Sequence, residues 1–179
     1  MGNIINIDKL IRNIINIENL TQIREKHKSI AFCTGCYDVL HSGHVAFFEK
    51  CKKFADILIV GIGSDKVIKE LKGENRPINP EKNRLYLISS LNSVDYVILN
   101  EEEMIPGKID FYNIIKELKP DVFILNEDDS AIKEKKELCD SLKIELKLVP
   151  RMNFEFATPT SSTEIIKKLE NGTKENEGI

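Results

Sequence analysis

The residues Ser29-Ile-Ala-Phe-Cys-Thr34 form a short apolar run, and Gly35-Cys-Tyr-Asp-Val-Leu-His-Ser-Gly-His44 follows it directly. The apolar run predicts a β-strand, and helical periodicity continues from Val45 to Phe54. A strand, a polar turn and a helix in this order are typical of a βα unit in a parallel sheet. The stretch therefore indicates an α/β fold, with its polar turn where such folds bind ligands, beyond the carboxyl end of a strand.

The rest of the chain repeats this alternation. Four more apolar strands are predicted at residues 57–62, 96–99, 122–125 and 144–149. Helical spacing predicts helices at residues 80–91, 111–118, 131–142 and 162–169. The run at 57–62 shows no polar alternation, as expected of a strand covered on both faces. The whole pattern predicts a Rossmann-like three-layer sandwich with a five-stranded parallel sheet.

The domain organisation is expected to be simple. A chain of 179 residues is long enough for one domain with a sizeable core. Residues 28–169 are predicted to form that domain. Residues 1–27 show helical spacing interrupted near 16–19, which predicts an N-terminal helical segment packed on the domain. Residues 170–179 are expected to form a polar tail.

The composition excludes several classes of protein. Hydrophobic residues make up 41% and charged residues 31%, which is ordinary for a folded globular chain. The net charge is −3 and the 26 basic residues are spread along the chain, so we expect no nucleic-acid partner. No apolar run approaches a membrane span and no secretion signal is recognisable, so we expect no membrane partner and a cytoplasmic location.

The polar turn after the first predicted strand carries the candidate site. Thr34 and Gly35 form its exit, where the missing Cβ of glycine would let backbone amides approach a phosphate closely. His41 and His44 are three residues apart at the start of a helix, so both rings should turn to the same side. Two imidazoles beside a helix N-terminus could donate hydrogen bonds to phosphate oxygens as charge builds up on them.

The same turn offers an alternative. Cys33 and Cys36 form a CxxC pair, and His41 and His44 follow, so four candidate metal ligands lie close together. Zinc fingers place about a dozen residues between the cysteine and histidine pairs, more than this turn provides. A reactive thiol must be exposed, whereas Cys33 belongs to the strand pattern. A Cys/His metal-binding or thiol-redox protein stays the competing hypothesis.

The quoted turn, read as GCYD followed by HSGH, resembles the HxGH signature of the cytidylyltransferase-like nucleotidyltransferases. Similar blocks continue to residue 169, including Asn83-Arg84 and Ser161-Ser-Thr-Glu-Ile-Ile166. Within this family, the chain resembles the adenylyltransferase domain of bacterial ADP-heptose synthases and the glycerol-3-phosphate cytidylyltransferases. The resemblance implies transfer of AMP or CMP from ATP or CTP to a small phosphorylated sugar or polyol, with release of pyrophosphate. It also implies Mg²⁺ bound with the NTP and a homodimer.

The resemblance assigns roles to individual residues. The catalytic set comprises His41, His44 and Lys72, the lysine neutralising the triphosphate from a Gly- and Pro-rich loop. The nucleotide-binding set comprises Thr34, Gly35, Cys36, Asp38, Gly43, Ser161, Ser162 and Thr163. The acceptor-binding set comprises Arg84, Asp128 and Arg151. Asp38 and Asp128 could also orient a magnesium ion, although no protein ligand to a metal is assigned.

The chain departs from these families in ways that leave the substrates open. Thr34 stands where the heptose enzymes have Asn, and Leu125-Asn-Glu-Asp-Asp129 stands where they have Lys-Gly-Gly-Asp-Tyr. GCYD and Arg151 favour CTP with a polyol phosphate, whereas the overall resemblance favours ATP with a sugar 1-phosphate. Nine residues separate Arg151 from Ser161, a longer spacer than the cytidylyltransferases have. An isoleucine-rich stripe between Ile4 and Ile23 could supply the dimer contact.

Overall fold

The computed structural model of the chain describes residues 13–101, 109–150 and 161–176. The strands are β1 (Ile14–Ile15), β2 (Ile30–Gly35), β3 (Ile57–Gly63), β4 (Tyr96–Asn100), β5 (Val122–Asn126) and β6 (Glu145–Val149). The α-helices are α1 (Leu20–Lys26), α2 (Ser42–Lys52), α3 (Asp65–Lys72), α4 (Glu81–Ser89), α5 (Tyr112–Leu118), α6 (Ile132–Leu142) and α7 (Ser162–Asn176). A turn of 3₁₀-helix, Ile17–Asn19, precedes α1.

The strands form one parallel sheet in the order β1-β4-β3-β2-β5-β6. Strand β2 lies between β3 and β5, so the direction in which the sheet grows reverses there. Reversal points of this kind leave a crevice at the carboxyl ends of the strands, where α/β folds bind ligands. The polar turn that follows β2 is therefore at the favoured position for a site.

Helices cover both faces of the sheet. Neighbouring residues of a strand point to opposite faces, so Phe32 packs in one core cluster and Cys33 in the other. The Phe32 cluster includes side chains from α1, α5 and α6, and the Cys33 cluster includes side chains from α2 and α4. The predicted Rossmann-like three-layer arrangement with a parallel sheet is confirmed.

The predicted number of five strands is wrong, because the sheet has six. The additional strand is the two-residue β1, in which Ile14 pairs with Val97 and Ile15 with Ile98. Two residues are too few to show alternation, and both isoleucines also fit a helical stripe. Strand β1 is an edge strand of the sheet. It pairs with β4, which separates it from β3.

The rest of the described N-terminal segment packs on the chain's own core. Leu20 and Ile23 of α1 are buried in the Phe32 cluster, together with Ile15, whereas Ile17 is exposed. Much of the described isoleucine-rich stripe is therefore covered within the domain. The part of that stripe in residues 1–12 lies outside the described residues.

Two other helices differ from the sequence expectation. Residues Asp65–Lys72 form α3, a helix that the sequence analysis did not predict, so Lys72 ends a helix and does not lie in the expected loop. The Ser64 hydroxyl caps this helix by accepting from the Val67 amide. The backbone of α7 continues to Asn176, into the segment expected to be a polar tail.

Among the described helices, none is long and apolar enough to cross a membrane.

Candidate active site

The two histidines lie side by side where β2 gives way to α2. His41 has an extended backbone and occupies the N-cap position, and its carbonyl accepts from the His44 amide at 2.9 Å. The His41 and His44 rings stack with centroids 3.8 Å apart and planes 24° apart. Both residues are half-buried. As the spacing predicts, both imidazoles turn to the same side of the helix start.

Helix α7 docks on the same turn. The Ser162 hydroxyl donates to the Val39 carbonyl at 3.0 Å, two residues before His41. Ser161 caps the helix, because its hydroxyl accepts from the Glu164 amide and its own amide donates to the Glu164 carboxylate. The start of α7 thus meets the turn at residues 35–44, the histidine turn, as expected if both contribute to one nucleotide-binding set.

Asp38 shapes the turn from within. It is almost completely buried, and its carboxylate accepts from the Arg76 guanidinium at 2.6 Å and from the amides of Ile78 and Asn79 at 3.0 and 2.7 Å. Burial opposes ionisation, but these hydrogen bonds outweigh it and hold the pKa of Asp38 below its ordinary value. Asp38 therefore ties the loop before α4 to the histidine turn, and its role toward a nucleotide stays a prediction.

Arg84 lies inside the protein, near the start of α4. Its side chain is fully buried and donates to the carbonyls of Asn79, Cys36 and Gly63 at 2.8–2.9 Å. It also pairs with the Asp65 carboxylate at 2.7 Å. Four protein oxygens thus surround the guanidinium, which joins the ends of β2 and β3 to the loop before α4. Its expected grip on an acceptor phosphate stays a prediction.

Gly35 serves the fold in a way that the sequence did not indicate. A Cβ built at this position would lie 2.8 Å from the Cζ atom of Tyr37. Side chains do not approach so closely, so the tyrosine ring requires glycine here. The expected approach of a phosphate to the Gly35 backbone stays a prediction.

The other predicted residues are distributed around this edge of the sheet. Thr34 and Gly35 are the last two residues of β2, with Thr34 half-buried, and the Cys36 carbonyl accepts from Arg84. Gly43 and Thr163 lie in the first turns of α2 and α7. Lys72 is exposed at the end of α3, and Asp128 is exposed after β5. Arg151 lies outside the described residues.

Sequence reasoning overlooked a polar pair at the end of β4. Asn100 is buried, and its side-chain amide donates to the Asp110 carboxylate at 2.5 Å. Burial raises the pKa of Asp110 above its ordinary value, although Asn100 and the Phe111 amide act against this rise. Asn100 is the last residue of an apolar strand, and a polar residue at that position is the signal that could have revealed the pair.

The cysteines give no support to the metal or redox alternative. Cys33 is fully buried and accepts a hydrogen bond from the Tyr37 hydroxyl at 3.8 Å. Contact with Cys33 and burial raise the pKa of the Cys51 thiol, and burial raises that of Cys139 to about 11. Raised values keep these two thiols, which lie outside the CxxC pair, protonated and unreactive. Across the described parts of the chain, no group of three or more His, Cys, Asp or Glu side chains is placed to hold a metal.

Comparison with known proteins agrees with the geometry. The model of one protein family, described as cytidylyltransferase-like, matches residues 32–168. The chain belongs to the cytidylyltransferase-like family. Membership supports the nucleotidyltransferase activity that the HxGH resemblance implies.

The curated relatives that match the chain are longer proteins. The bifunctional protein HldE of Aliarcobacter butzleri is 37% identical over 172 residues, which are 96% of this chain and 33% of that protein. The bifunctional protein HldE of Campylobacter fetus is 35% identical over 158 residues, which are 88% of this chain and 31% of that protein. The chain thus spans about a third of the length of these curated relatives.

Solved structures show the same fold. The lipopolysaccharide core biosynthesis protein from Thermoplasma volcanium is 31% identical, with a TM-score of 0.55, over 71% of this chain and 98% of that one. Pantoate-beta-alanine ligase from Francisella tularensis is 19% identical, with a TM-score of 0.58, over 86% of this chain and 72% of that one. The second likeness concerns the fold alone.

Proposed function

We propose that this domain transfers AMP or CMP from ATP or CTP to a small phosphorylated sugar or polyol and releases pyrophosphate. The observation that carries the proposal is the stacked pair of His41 and His44 at the start of α2, with Ser162 of α7 docked on the same turn. Two helix N-termini and two imidazoles converge there, and each favours the negative charge of phosphates.

The chemistry suits such a site. An oxygen of the acceptor's phosphate attacks the α-phosphorus in line, and the bond from the α-phosphorus to the oxygen bridging to the β-phosphate breaks. Pyrophosphate leaves with that electron pair. The attacking phosphate is already ionised, so little proton transfer is needed and catalysis consists of positioning and charge stabilisation. His41 and His44 would donate to the oxygens on which charge builds up, and Lys72 would neutralise the leaving pyrophosphate.

Magnesium is proposed to arrive as part of the nucleotide substrate. A triphosphate carries its own oxygen ligands for Mg²⁺, which commonly keeps several waters and takes few protein ligands. Asp128, exposed beyond β5, remains the carboxylate proposed to orient the ion or the acceptor, because Asp38 already accepts three protein donors.

The proposed substrates fall into two pairs. The likeness to HldE proteins and to a lipopolysaccharide core biosynthesis protein supports ATP with a sugar 1-phosphate. GCYD and Arg151 support CTP with a polyol phosphate. A matrix of four NTPs against a panel of sugar and polyol phosphates, followed by pyrophosphate release, distinguishes them. Nucleotide binding without turnover of any pair would contradict the proposal and favour a nucleotide-binding regulator.

Substitution of the histidines tests the catalytic assignment. His41→Ala and His44→Ala should each lower turnover on the order of a hundredfold or more, because each removes a donor to the transition state. His27→Ala, which alters the remaining histidine far from this turn, is the control and should keep normal turnover. Normal turnover in both site variants, with unchanged circular dichroism, would show that the pair is structural.

We further propose a cytoplasmic homodimer. The described part of the isoleucine-rich stripe contributes Ile15, Leu20 and Ile23 to the chain's own core, so these three side chains are not available for a dimer contact. Light scattering at micromolar concentration measures the mass directly. A mass near the monomer's 20.5 kDa would exclude the dimer.

A further inference from the structure

Tyr37, in the middle of the histidine turn, has an unusual backbone. Its φ angle is 47°, in the left-handed region that large side chains rarely adopt. Such a conformation persists where surrounding contacts impose it, and it is concentrated at functional sites. The ring lies directly over the backbone of Gly35, where no Cβ could be accommodated. The turn is therefore built around this ring.

The ring of Tyr37 is held on several sides. It meets the His44 ring edge to face, with centroids 5.2 Å apart and planes 86° apart. It meets Phe48 with centroids 4.9 Å apart and planes 63° apart. Its hydroxyl donates to the Cys33 thiol at 3.8 Å. Edge-to-face geometry of this kind is favoured by the quadrupoles of aromatic rings.

We propose that Tyr37 is a positioning residue, which fixes the orientation of the His44 imidazole and, through the stacked pair, that of His41. The inference rests on the proposed function of the two histidines. A histidine side chain can rotate about two bonds, and only some orientations aim a ring nitrogen at a phosphate. The Tyr37 ring occupies the space into which His44 would otherwise turn.

The hydroxyl of Tyr37 holds the ring rather than reacting. Burial and the neighbouring cysteines raise the tyrosine's pKa well above its ordinary value, so the group stays a neutral donor to Cys33. A thiol is a weak acceptor, and loss of this hydrogen bond should cost little. The ring, not the hydroxyl, is therefore the part that positions His44.

A second pair of the same chemistry provides a matched control. Tyr96 meets His27 edge to face with centroids 5.9 Å apart and planes 66° apart. His27 follows α1 and Tyr96 begins β4, so this pair lies at the amino-terminal edge of the sheet. Loss of the Tyr96 ring should disturb His27 without affecting turnover.

The experiment compares Tyr37→Leu, Tyr37→Phe and Tyr96→Leu. Tyr37→Leu should lower kcat about tenfold or more and change KM less than about twofold, because misplaced imidazoles weaken interactions made in the transition state. Tyr37→Phe keeps the ring and should restore kcat to within about twofold of the natural chain. Tyr96→Leu should leave both constants unchanged.

Carbon–proton NMR of the imidazoles supplies a readout that does not depend on activity. The chain has three histidines, so their signals can be assigned by single substitutions. Tyr37→Leu should shift the His44 signal and leave the His27 signal in place. Tyr96→Leu should shift the His27 signal and leave the His44 signal in place. An unmoved His44 signal, or a moved signal with unchanged kcat, would overturn the proposal. Tyr37→Met repeats the test if the leucine variant does not fold.

The two proposals can fail separately. If no substrate pair is turned over, the proposed function fails, whereas the His44 signal still reports whether Tyr37 holds the ring. If turnover is found and depends on both histidines, an unchanged kcat in a folded Tyr37→Leu variant contradicts the positioning role alone.

Discussion

At both the amino-terminal and the carboxyl edge of the sheet, carboxylates accept hydrogen bonds from backbone amides, but they stabilise different elements. At the amino-terminal edge, Asp121 accepts from the Ile30 amide and from Arg24, and Asp95 accepts from the Leu58 amide and from Lys52. At the carboxyl edge, Asp38 likewise accepts from amides and from an arginine. The first pair of carboxylates fastens the starts of strands, whereas Asp38 fastens a loop.

The two edges differ in how far their aspartate side chains are exposed to water. The side chains of Asp121 and Asp95 are 45% and 32% exposed, and that of Asp38 is 1% exposed. Water competes for hydrogen bonds at the amino-terminal edge, and it is excluded around Asp38 and Arg84. Polar networks that exclude water are stiff and are costly to break. The loops around the proposed site are therefore held more firmly than the strand starts.

The largest effect is expected from Arg84→Ala. The substitution removes the donor shared by the carbonyls of Cys36, Gly63 and Asn79 and leaves Asp65 without this partner. The free energy of unfolding should fall by about 3–5 kcal/mol, because each buried carbonyl left without a donor costs about 1–3 kcal/mol. Urea denaturation measures it. A loss below about 1 kcal/mol would show that the buried network contributes no more than an exposed one.

A smaller, pH-dependent effect is expected from Asp38→Asn. The folded-state pKa of Asp38 lies below its ordinary value of 3.8, so its carboxylate stabilises the folded chain above that pH. The substitution should cost about 2 kcal/mol near pH 7, since it weakens hydrogen bonds to a charged group. The difference in the free energy of unfolding between the natural chain and Asp38→Asn should shrink as pH falls below 3.8 through the folded-state pKa of Asp38. A difference that is constant from pH 7 to pH 3 would contradict this origin.

The smallest effect is expected from Asp121→Asn at the other edge. Asp121 pairs with Arg24 at 2.6 Å, but both side chains are partly exposed. Exposed pairs contribute little, so the free energy of unfolding should fall by about 1 kcal/mol or less, with turnover unchanged. Thermal unfolding and pyrophosphate release measure the two quantities. A loss as large as that of Asp38→Asn would remove the distinction between the edges.

The sequence predicted the part of the fold in which strands and helices alternate regularly. Apolar runs such as residues 57–62 identify strands because burial on both faces requires unbroken hydrophobicity. Strand β1 escaped this reasoning, since Ile14 and Ile15 also suit a helix. Helix α3 was also overlooked, because its neighbourhood is rich in Gly and Pro and its apolar side is narrow, with Val67 and Ile68 buried.

The sequence predicted the location of the candidate site better than the structural role of each of its residues. The spacing of His41 and His44 and the serine-rich start of α7 indicated which elements meet. Burial was the missing quantity: an arginine near a helix start gives no sign that four protein oxygens surround Arg84. The reason for Gly35 is a contact with Tyr37, which depends on a left-handed backbone that no local pattern reveals.

The contact between Ser162 and Val39 also has a consequence for the order in which the molecule can be completed during synthesis. These residues are 123 positions apart, an interval that a ribosome translates in about 6–25 s at roughly 5–20 residues per second. The contact from Arg84 to Cys36 spans 48 positions and becomes available much sooner. A growing chain thus has both histidines and their supporting network while the helix that docks on them has still to be translated. The part of the candidate site contributed by α7 is the last to be translated.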